Sequence, residues 1–190
     1  ESLQIPVTEV MDVVEKGFTL KGKDALEMPA KIGIHPRKDC FIHAMPCYVG
    51  GGADVAGIKW VSGYPLNQAK GLPYITGVMC LNDPETGFVK VIMDANWITA
   101  WRTGAATGVC ARHMADPDLR VLAVIGLGVQ GRTNAAALAA ALPKVEKVKV
   151  YDKHAEQVPR FLELVKEDLK GIEVLPCATV EETVREADVV

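Results

Sequence analysis

Hydrophobic and polar positions follow two different patterns in this chain, and the change falls near residue 116. In the second part, short apolar runs of the kind that form buried strands alternate with longer segments of helical composition. The predicted strands are 119–126, 145–152, 172–177 and one starting at 188, and the predicted helices are 128–142, 154–170 and 180–187. Strands that alternate with helices in this way are typical of a parallel sheet with right-handed crossovers.

The first part of the chain is richer in strands. Residues 8–18 suit a short amphipathic helix, and residues 96–114 suit a longer helix that the Asp116–Pro117 pair ends. Apolar segments separated by Gly and Pro predict strands within 30–36, 40–50, 53–63, 72–83 and 88–93, with a hairpin turn at 82–87. We therefore predict an α/β protein in which an α+β domain, residues 1–115, precedes a parallel α/β domain that begins at residue 116.

Composition and charge narrow the classes of function. The 190 residues are 49% hydrophobic and 24% charged, which is ordinary for a chain that forms a packed core. The formal net charge of −3 gives no basic field that would attract nucleic acid or an anionic membrane surface. The sequence contains neither an apolar run of about 18 residues nor a signal-peptide pattern at its start. The expected compartment is the cytoplasm, and neither nucleic acid nor a membrane is expected as a partner.

The five cysteines favour reduced thiols over a disulfide framework, because their number is odd and no Cys-x-x-Cys occurs. A zinc site is the alternative, since His35, Cys40, His43 and Cys47 lie close together in the sequence. Their spacing matches no standard zinc pattern, and two prolines interrupt the stretch. We therefore predict no metal site and interpret these residues as part of a strand pair.

A glycine-rich turn is the most informative motif in the sequence. Gly126, Gly128 and Gly131 match Gly-x-Gly-x-x-Gly, follow a predicted strand and open a predicted helix, which also contains Val129 and Gln130 in its first turn. The first glycine permits a tight turn, the second allows a pyrophosphate to approach the backbone, and the third allows helix and strand to pack closely. The alternative is a purely structural turn, but the context favours a dinucleotide at the N-terminus of the helix.

An acidic residue at the end of the next strand indicates which dinucleotide is bound. The carboxylate of Asp152 can accept hydrogen bonds from the ribose hydroxyls of NAD and would repel the 2′-phosphate of NADP. Lys153, the next residue, is also assigned to the cofactor, and its charge would partly offset that repulsion. NAD is therefore favoured, and NADP stays possible.

Four segments, taken together in this order, carry a resemblance to a known family. They are Met28–Pro36, Gly57–Trp60 with the following Asn67 and Gly71–Pro73, Trp101–Ala106, and the glycine turn with its flanks at 125–134. The chain resembles the ornithine cyclodeaminase/mu-crystallin family over essentially its whole length. The resemblance implies a substrate-binding and dimerisation domain at residues 1–115 and the first half of an NAD(P)-binding Rossmann domain at residues 116–190.

The family includes ornithine cyclodeaminases, alanine dehydrogenases, and ketimine or pyrroline-carboxylate reductases. The resemblance therefore implies hydride transfer between a nicotinamide and the α-carbon of an amino or cyclic imino acid. It also implies a homodimer. A protein that binds NAD(P)H and a small ligand without catalysis is the alternative, because mu-crystallin uses the same scaffold in that way.

The resemblance also assigns roles to individual residues. Lys59 and Arg102, together with Lys31, would hold the substrate carboxylate; lysine replaces the arginine that relatives often have at position 31, so the planar two-point contact is lost there. Thr103 would donate to a cofactor phosphate, and Thr76 would lie beside the nicotinamide. The alternatives are a solvent-facing lysine at 59 and a pair of helix-surface residues at 102 and 103.

The family pattern continues beyond Val190 into the rest of the Rossmann sheet. In the family, that part contains the aspartate that acts as acid or base toward the substrate nitrogen. The resemblance thus implies that residues 1–190 alone form an incomplete cofactor crevice. We expect this chain by itself to lack dehydrogenase and cyclodeaminase activity.

Overall fold

A computed structural model describes residues 5–190. In chain order, the elements are α1 Val7–Gly22, β1 Leu26–Glu27, β2 Ile32–Ile34, β3 Phe41–Val49, β4 Val55–Gly63, a 3-10 helix Pro65–Lys70, β5 Ile75–Asn82, β6 Val89–Asp94, α2 Asn96–Met114, β7 Val121–Ile125, α3 Val129–Ala141, β8 Lys147–Tyr151, α4 Gln157–Val165, β9 Glu173–Pro176 and α5 Val180–Val184. This mixture of helices and two sheets confirms the predicted α/β class.

The chain divides into two compact units. Residues Lys16–Thr99 form the first unit, and residues up to Glu15 together with Ala100–Val190 form the second. This division falls inside α1 and α2, whereas the sequence pattern changes near residue 116. The boundaries between the compact units therefore differ from the boundary between the predicted domains. The assignment of substrate binding to residues 1–115 and of cofactor binding to residues 116–190 stays a prediction.

The first unit contains an antiparallel sheet in the order β1-β3-β4-β5-β6, and β2 pairs with the same strand, β3, as β1 does. The predicted hairpin is confirmed, because β5 and β6 pair antiparallel across the turn that Asp83 stabilises by accepting from the backbone N–H groups of Glu85 and Thr86. Side chains alternate between the two faces of a strand. Residues with odd numbers on β4, Lys59 among them, therefore share one face, and Trp60 lies on the other.

The second unit contains a parallel sheet in the order β7-β8-β9. Val189 adds a bridge on the free side of β7, where its carbonyl accepts from the N–H of Ala123 at 2.8 Å. The strand order therefore reverses at β7, since β8 and β9 follow on one side and the segment at Val189 starts on the other. In open parallel sheets this switch point is where ligands bind, at the carboxyl ends of the strands.

Helices α2 and α3 pack backbone to backbone in the second unit. A Cβ atom at Gly104 would lie 2.3 Å from the carbonyl oxygen of Thr133, and one at Gly108 would lie 2.9 Å from that of Ala137. Only residues without a side chain allow such an approach. The glycines of α2 thus bring the segment that contains Arg102 and Thr103 close to the first half of α3.

The predicted helices and strands are largely confirmed, with differences that have local causes. The helix expected at 154–170 covers only Gln157–Val165. Its late start agrees with Pro159, which lacks an N–H and fits only the first turn of a helix, and residues 166–170 form turns. The helix expected at 180–187 ends at Val184, and Glu186 adopts a left-handed φ of 57°. The sequence pattern missed β1, which has two residues, and the 3-10 helix after β4.

Candidate functional site

The glycine turn lies between β7 and α3, and a different structural feature accounts for each of its three glycines. Gly126 has a φ of 93°, which side chains of L-residues rarely tolerate. A Cβ atom at Gly131 would lie 1.9 Å from the carbonyl oxygen of Gly126, so only glycine allows α3 to start this close to the strand. Apart from its own neighbours along the chain, no atom of residues 5–190 lies within 4 Å of the Cβ position of Gly128, which leaves open space in front of that residue.

The first turn of α3 presents backbone donors to this open space. Gly128 is the N-cap, and it has no side chain that accepts from the turn. The N–H groups at the start of a helix have no partner within the helix, and the helix dipole adds a partial positive charge. The N–H groups of Val129, Gln130 and Gly131 therefore suit the phosphates of a dinucleotide, and the residues present fit that cofactor.

Asp152 follows β8 and is bound to the glycine turn. Its Oδ2 accepts from the N–H of Leu127 at 2.7 Å, and its Oδ1 accepts from the N–H of His154 at 2.9 Å. Burial raises the pKa of this carboxyl, but the two backbone donors and the charges of His154 and Lys153 outweigh burial, so the pKa lies below its usual range. A carboxylate has about four lone-pair positions. Asp152 is thus charged and held in place, and it can still accept from a ribose hydroxyl.

Lys59 lies in the middle of β4, in a row formed with three methionines. Its Cα partners are Met45 on β3 and Met79 on β5, and Met79 pairs with Met93 on β6. The lysine is half-buried, and its Nζ donates to Thr99 Oγ1 at 3.3 Å. This geometry disfavours the alternative of a lysine that points freely to solvent, and it places a positive charge among flexible apolar side chains.

Lys31 comes directly before β2, whose pairing with β3 starts at Ile32 and Ala44. His43 lies on the same sheet face as Lys59, because its strand partner on β4 is Val61. Burial lowers the pKa of the His43 imidazole, and the charges of Lys31 and His35 lower it further. Lys31 is therefore near enough to this face for its charge to act on His43.

The remaining predicted site residues occupy three other positions. Thr76 lies on the opposite sheet face from Lys59, and its hydroxyl is 3.0 Å from that of Ser62, its strand partner. Arg102 is exposed on α2, and Thr103 beside it is half-buried. Lys153 is exposed after β8. The sheet therefore does not bring Thr76 to the face of Lys59.

One side chain that the sequence pattern did not indicate follows the glycine motif directly. The guanidinium of Arg132 lies 5.4 Å from the ring centroid of Trp101 on α2, and its Nη2 lies 3.6 Å from Asp168 Oδ2. The motif ends at Gly131, so the pattern gives no signal for the next residue. Within residues 5–190, no group of three or more His, Cys, Asp or Glu side chains is placed to hold a metal, and no helix is long and apolar enough to cross a membrane.

Comparison with known proteins identifies the relatives of this chain. The model of the ornithine cyclodeaminase/mu-crystallin family matches residues 2–190. The nodulation efficiency protein NfeD of Rhizobium meliloti is 36% identical over 188 residues, which are 99% of this chain and 57% of that protein. The chain thus spans little more than half the length of this relative.

Two solved structures resemble the fold closely. The Δ1-pyrroline-2-carboxylate reductase of Thermococcus litoralis, in complex with NADH and L-proline, superposes with a TM-score of 0.91 at 34% identity, and the match covers 98% of this chain and 58% of that one. An archaeal alanine dehydrogenase, a dimer with bound NAD, has a TM-score of 0.84 at 34% identity, with coverage of 94% and 53%.

Proposed function

Because the chain belongs to the ornithine cyclodeaminase/mu-crystallin family, we propose that the protein is an NAD-dependent oxidoreductase acting on an amino or cyclic imino acid. The glycine turn is the observation that carries this proposal. It combines a glycine that needs a positive φ, a glycine that allows close packing and an open N-terminus of α3. Each of these features is required where a pyrophosphate meets a helix N-terminus.

The glycine turn and the residues assigned to the cofactor outside it have separate roles in cofactor binding. The N–H groups of Gly128 to Gly131 bind the pyrophosphate, and Asp152 accepts from the adenosine ribose. Thr103 donates to a phosphate. We do not retain Thr76 for the nicotinamide side, because its side chain lies on the sheet face opposite Lys59. The bound nicotinamide supplies or accepts the hydride that changes the oxidation state of the substrate α-carbon.

Three cations are assigned to the substrate carboxylate. Lys59 lies in the middle of the antiparallel sheet, Lys31 directly precedes β2, and Arg102 is exposed on α2. An amino or imino acid brings a carboxylate that offsets their charge, and an Arg fork can bind it at two points. Fixing the carboxylate orients the α-carbon, and such positioning is a major source of rate enhancement in two-substrate reactions.

The experiment that tests the proposal is a cofactor and substrate screen of the intact protein. NADH binding is titrated by fluorescence, and NADH oxidation is then followed with Δ1-pyrroline-2-carboxylate, or with pyruvate and ammonia. NAD reduction is followed with L-proline and L-alanine, and ammonia release is followed with L-ornithine and NAD, because deamination with cyclisation returns the hydride and forms no net NADH. Turnover of one of these substrates supports the proposal. Tight NADH binding without turnover of any of them indicates the non-catalytic alternative. Absence of NADH binding contradicts the proposed NAD-dependent enzyme, and absence of both NADH and NADPH binding contradicts both functions.

Asp152 is expected to make the protein prefer NADH over NADPH by at least about tenfold in Kd, because its carboxylate opposes the 2′-phosphate. Asp152→Ser should narrow or reverse the preference. Asp152→Asn is the matched control, since its side-chain oxygen can still accept from Leu127 while the charge is lost. Because the pKa of Asp152 is lowered, the preference should persist from neutral pH down to about pH 5.

The measurement is a fluorescence titration of both reduced cofactors with each variant. If the charge of Asp152 determines the preference, Asp152→Asn and Asp152→Ser should reduce the ratio of the Kd for NADPH to the Kd for NADH to a similar degree. If the wild-type protein binds NADPH more tightly than NADH, the assignment of Asp152 to the ribose is wrong.

The protein is expected to form a homodimer through the sheet face opposite Lys59. Large apolar side chains are exposed there, including Ile32, Trp60, Val78 and Ile92, with exposed fractions of 70%, 49%, 43% and 70%. Three of them lie in one row of strand partners, Ile32–Ala44–Trp60–Val78. A contiguous apolar face of this kind is typical of a protein–protein interface.

Light scattering of the intact protein at micromolar concentration tests this expectation. The wild-type mass should correspond to a dimer, and Trp60→Glu should shift it toward the monomer because a charge would be buried against apolar side chains. Lys90→Glu on the edge strand β6 is a control that should leave the dimer intact. A wild-type monomer would contradict the prediction.

A further inference from the structure

Arg132 lies between two residues that are distant in the sequence. Its guanidinium is over the ring of Trp101 at 5.4 Å and faces the carboxylate of Asp168 at 3.6 Å. The side chains of Arg132 and Asp168 are only 32% and 27% exposed. A planar guanidinium can stack on an aromatic ring and meet a carboxylate at the same time, which an ammonium group cannot do as well.

This contact lies in line with two close backbone contacts between α2 and α3. Trp101 meets Arg132, Gly104 meets Thr133, and Gly108 meets Ala137. The residue numbers rise together on both helices, so the two helices run side by side in the same direction. The contacts at Gly104 and Gly108 set a short distance between the backbones, but glycine has no side chain that would resist sliding or rotation. The Trp101–Arg132 contact adds side chains at the end where the functional residues lie.

Several local contributions to the free energy disfavour Arg132 at this position. A cation in the first turn of a helix is disfavoured by the helix dipole. The Nε of Arg132 is buried and has no acceptor among the described residues 5–190. Burial also raises the pKa of Asp168, although the charge of Arg132 acts in the opposite direction. Violations of local rules of this kind are expected at functional sites.

We infer that Arg132 is a positioning residue for cofactor binding. Held by Asp168, it fixes Trp101, and with it Arg102 and Thr103, relative to the first turn of α3. Arg132 acts through Trp101 and does not itself contact the reacting atoms. The inference rests on the proposed function, because it assumes that the glycine turn binds a dinucleotide.

A double-mutant cycle on NADH affinity in the intact protein tests the inference. Arg132→Met and Trp101→Leu should each raise the Kd for NADH about tenfold. The Kd of the double variant should exceed the higher of the two single-variant Kd values by no more than about twofold, because both changes remove the same contact. If the effects multiply to about a hundredfold, the two residues act independently and the inference is wrong.

Matched variants separate positioning from charge and from folding. Arg160→Met on α4 removes an equal, exposed charge in the same unit and should leave the Kd unchanged. Arg132→Lys should recover part of the affinity, and Arg132→Met should raise the KM for NADH far more than it lowers kcat. If thermal unfolding shows that Arg132→Met does not fold, Asp168→Asn replaces it and should weaken NADH binding about threefold.

Two results would overturn the inference at different levels. A wild-type protein that does not bind NADH would remove the proposed function itself. A wild-type protein that binds NADH, with Arg132→Met binding equally well, would overturn the positioning role alone.

Discussion

Lys59→Met is expected to abolish binding of the amino or imino acid while leaving the Kd for NADH nearly unchanged. The lysine is half-buried in the row Met45–Lys59–Met79, where water competes less effectively for an incoming carboxylate than at an exposed site. Truncating one partner of such a charge pair costs about 2–5 kcal/mol. The KM for the best substrate of the wild-type protein should therefore rise at least about 30-fold.

The methionine side chain is close to lysine in length and flexibility, so this variant removes the charge and keeps most of the packing. Lys90→Met is the matched control on the same sheet, because Lys90 pairs with Asp83 on the surface and its side chain is 59% exposed. Steady-state kinetics and NADH titration of both variants make the comparison. A Lys59→Met protein with wild-type KM would show that the ammonium group does not meet the substrate.

Local pattern was sufficient for most elements of the fold. Helix α2 was predicted with the bounds that the structure has, 96–114, because the Asp116–Pro117 pair lies just beyond its end. Two elements left no trace in the pattern. The strand Leu26–Glu27 is defined only by pairing with Val49 and Tyr48, which are distant in the sequence. The 3-10 helix at 65–70 is too short to show an amphipathic period.

The candidate site was predictable where a residue type is required by the backbone itself. Gly126 and Gly131 are such residues, since one needs a positive φ and the other allows no Cβ atom. Contacts between distant segments were not predictable. The bond from Leu127 to Asp152, the stacking of Arg132 on Trp101 and the face of Thr76 depend on pairing and helix packing, which a single sequence does not show.

Two glycines of the turn differ in a way that separates folding from cofactor binding. A methyl group at Gly131 would meet the carbonyl oxygen of Gly126 at 1.9 Å, within the folded chain. A methyl group at Gly128 would meet no atom of the described residues within 4 Å, and the φ of −73° there is one that alanine adopts readily. The open space in front of Gly128 is the place that we assign to the pyrophosphate.

Gly131→Ala is therefore expected to lower both stability and cofactor affinity, whereas Gly128→Ala should lower cofactor affinity alone. Overpacking of this kind costs about 1–3 kcal/mol, so thermal unfolding of the intact Gly131→Ala protein should occur several degrees below that of the wild type. The Gly128→Ala protein should unfold at the wild-type temperature, yet its Kd for NADH should rise at least about tenfold, because the methyl group takes the space of a phosphate. Wild-type NADH affinity in Gly128→Ala would show that the pyrophosphate does not approach this backbone.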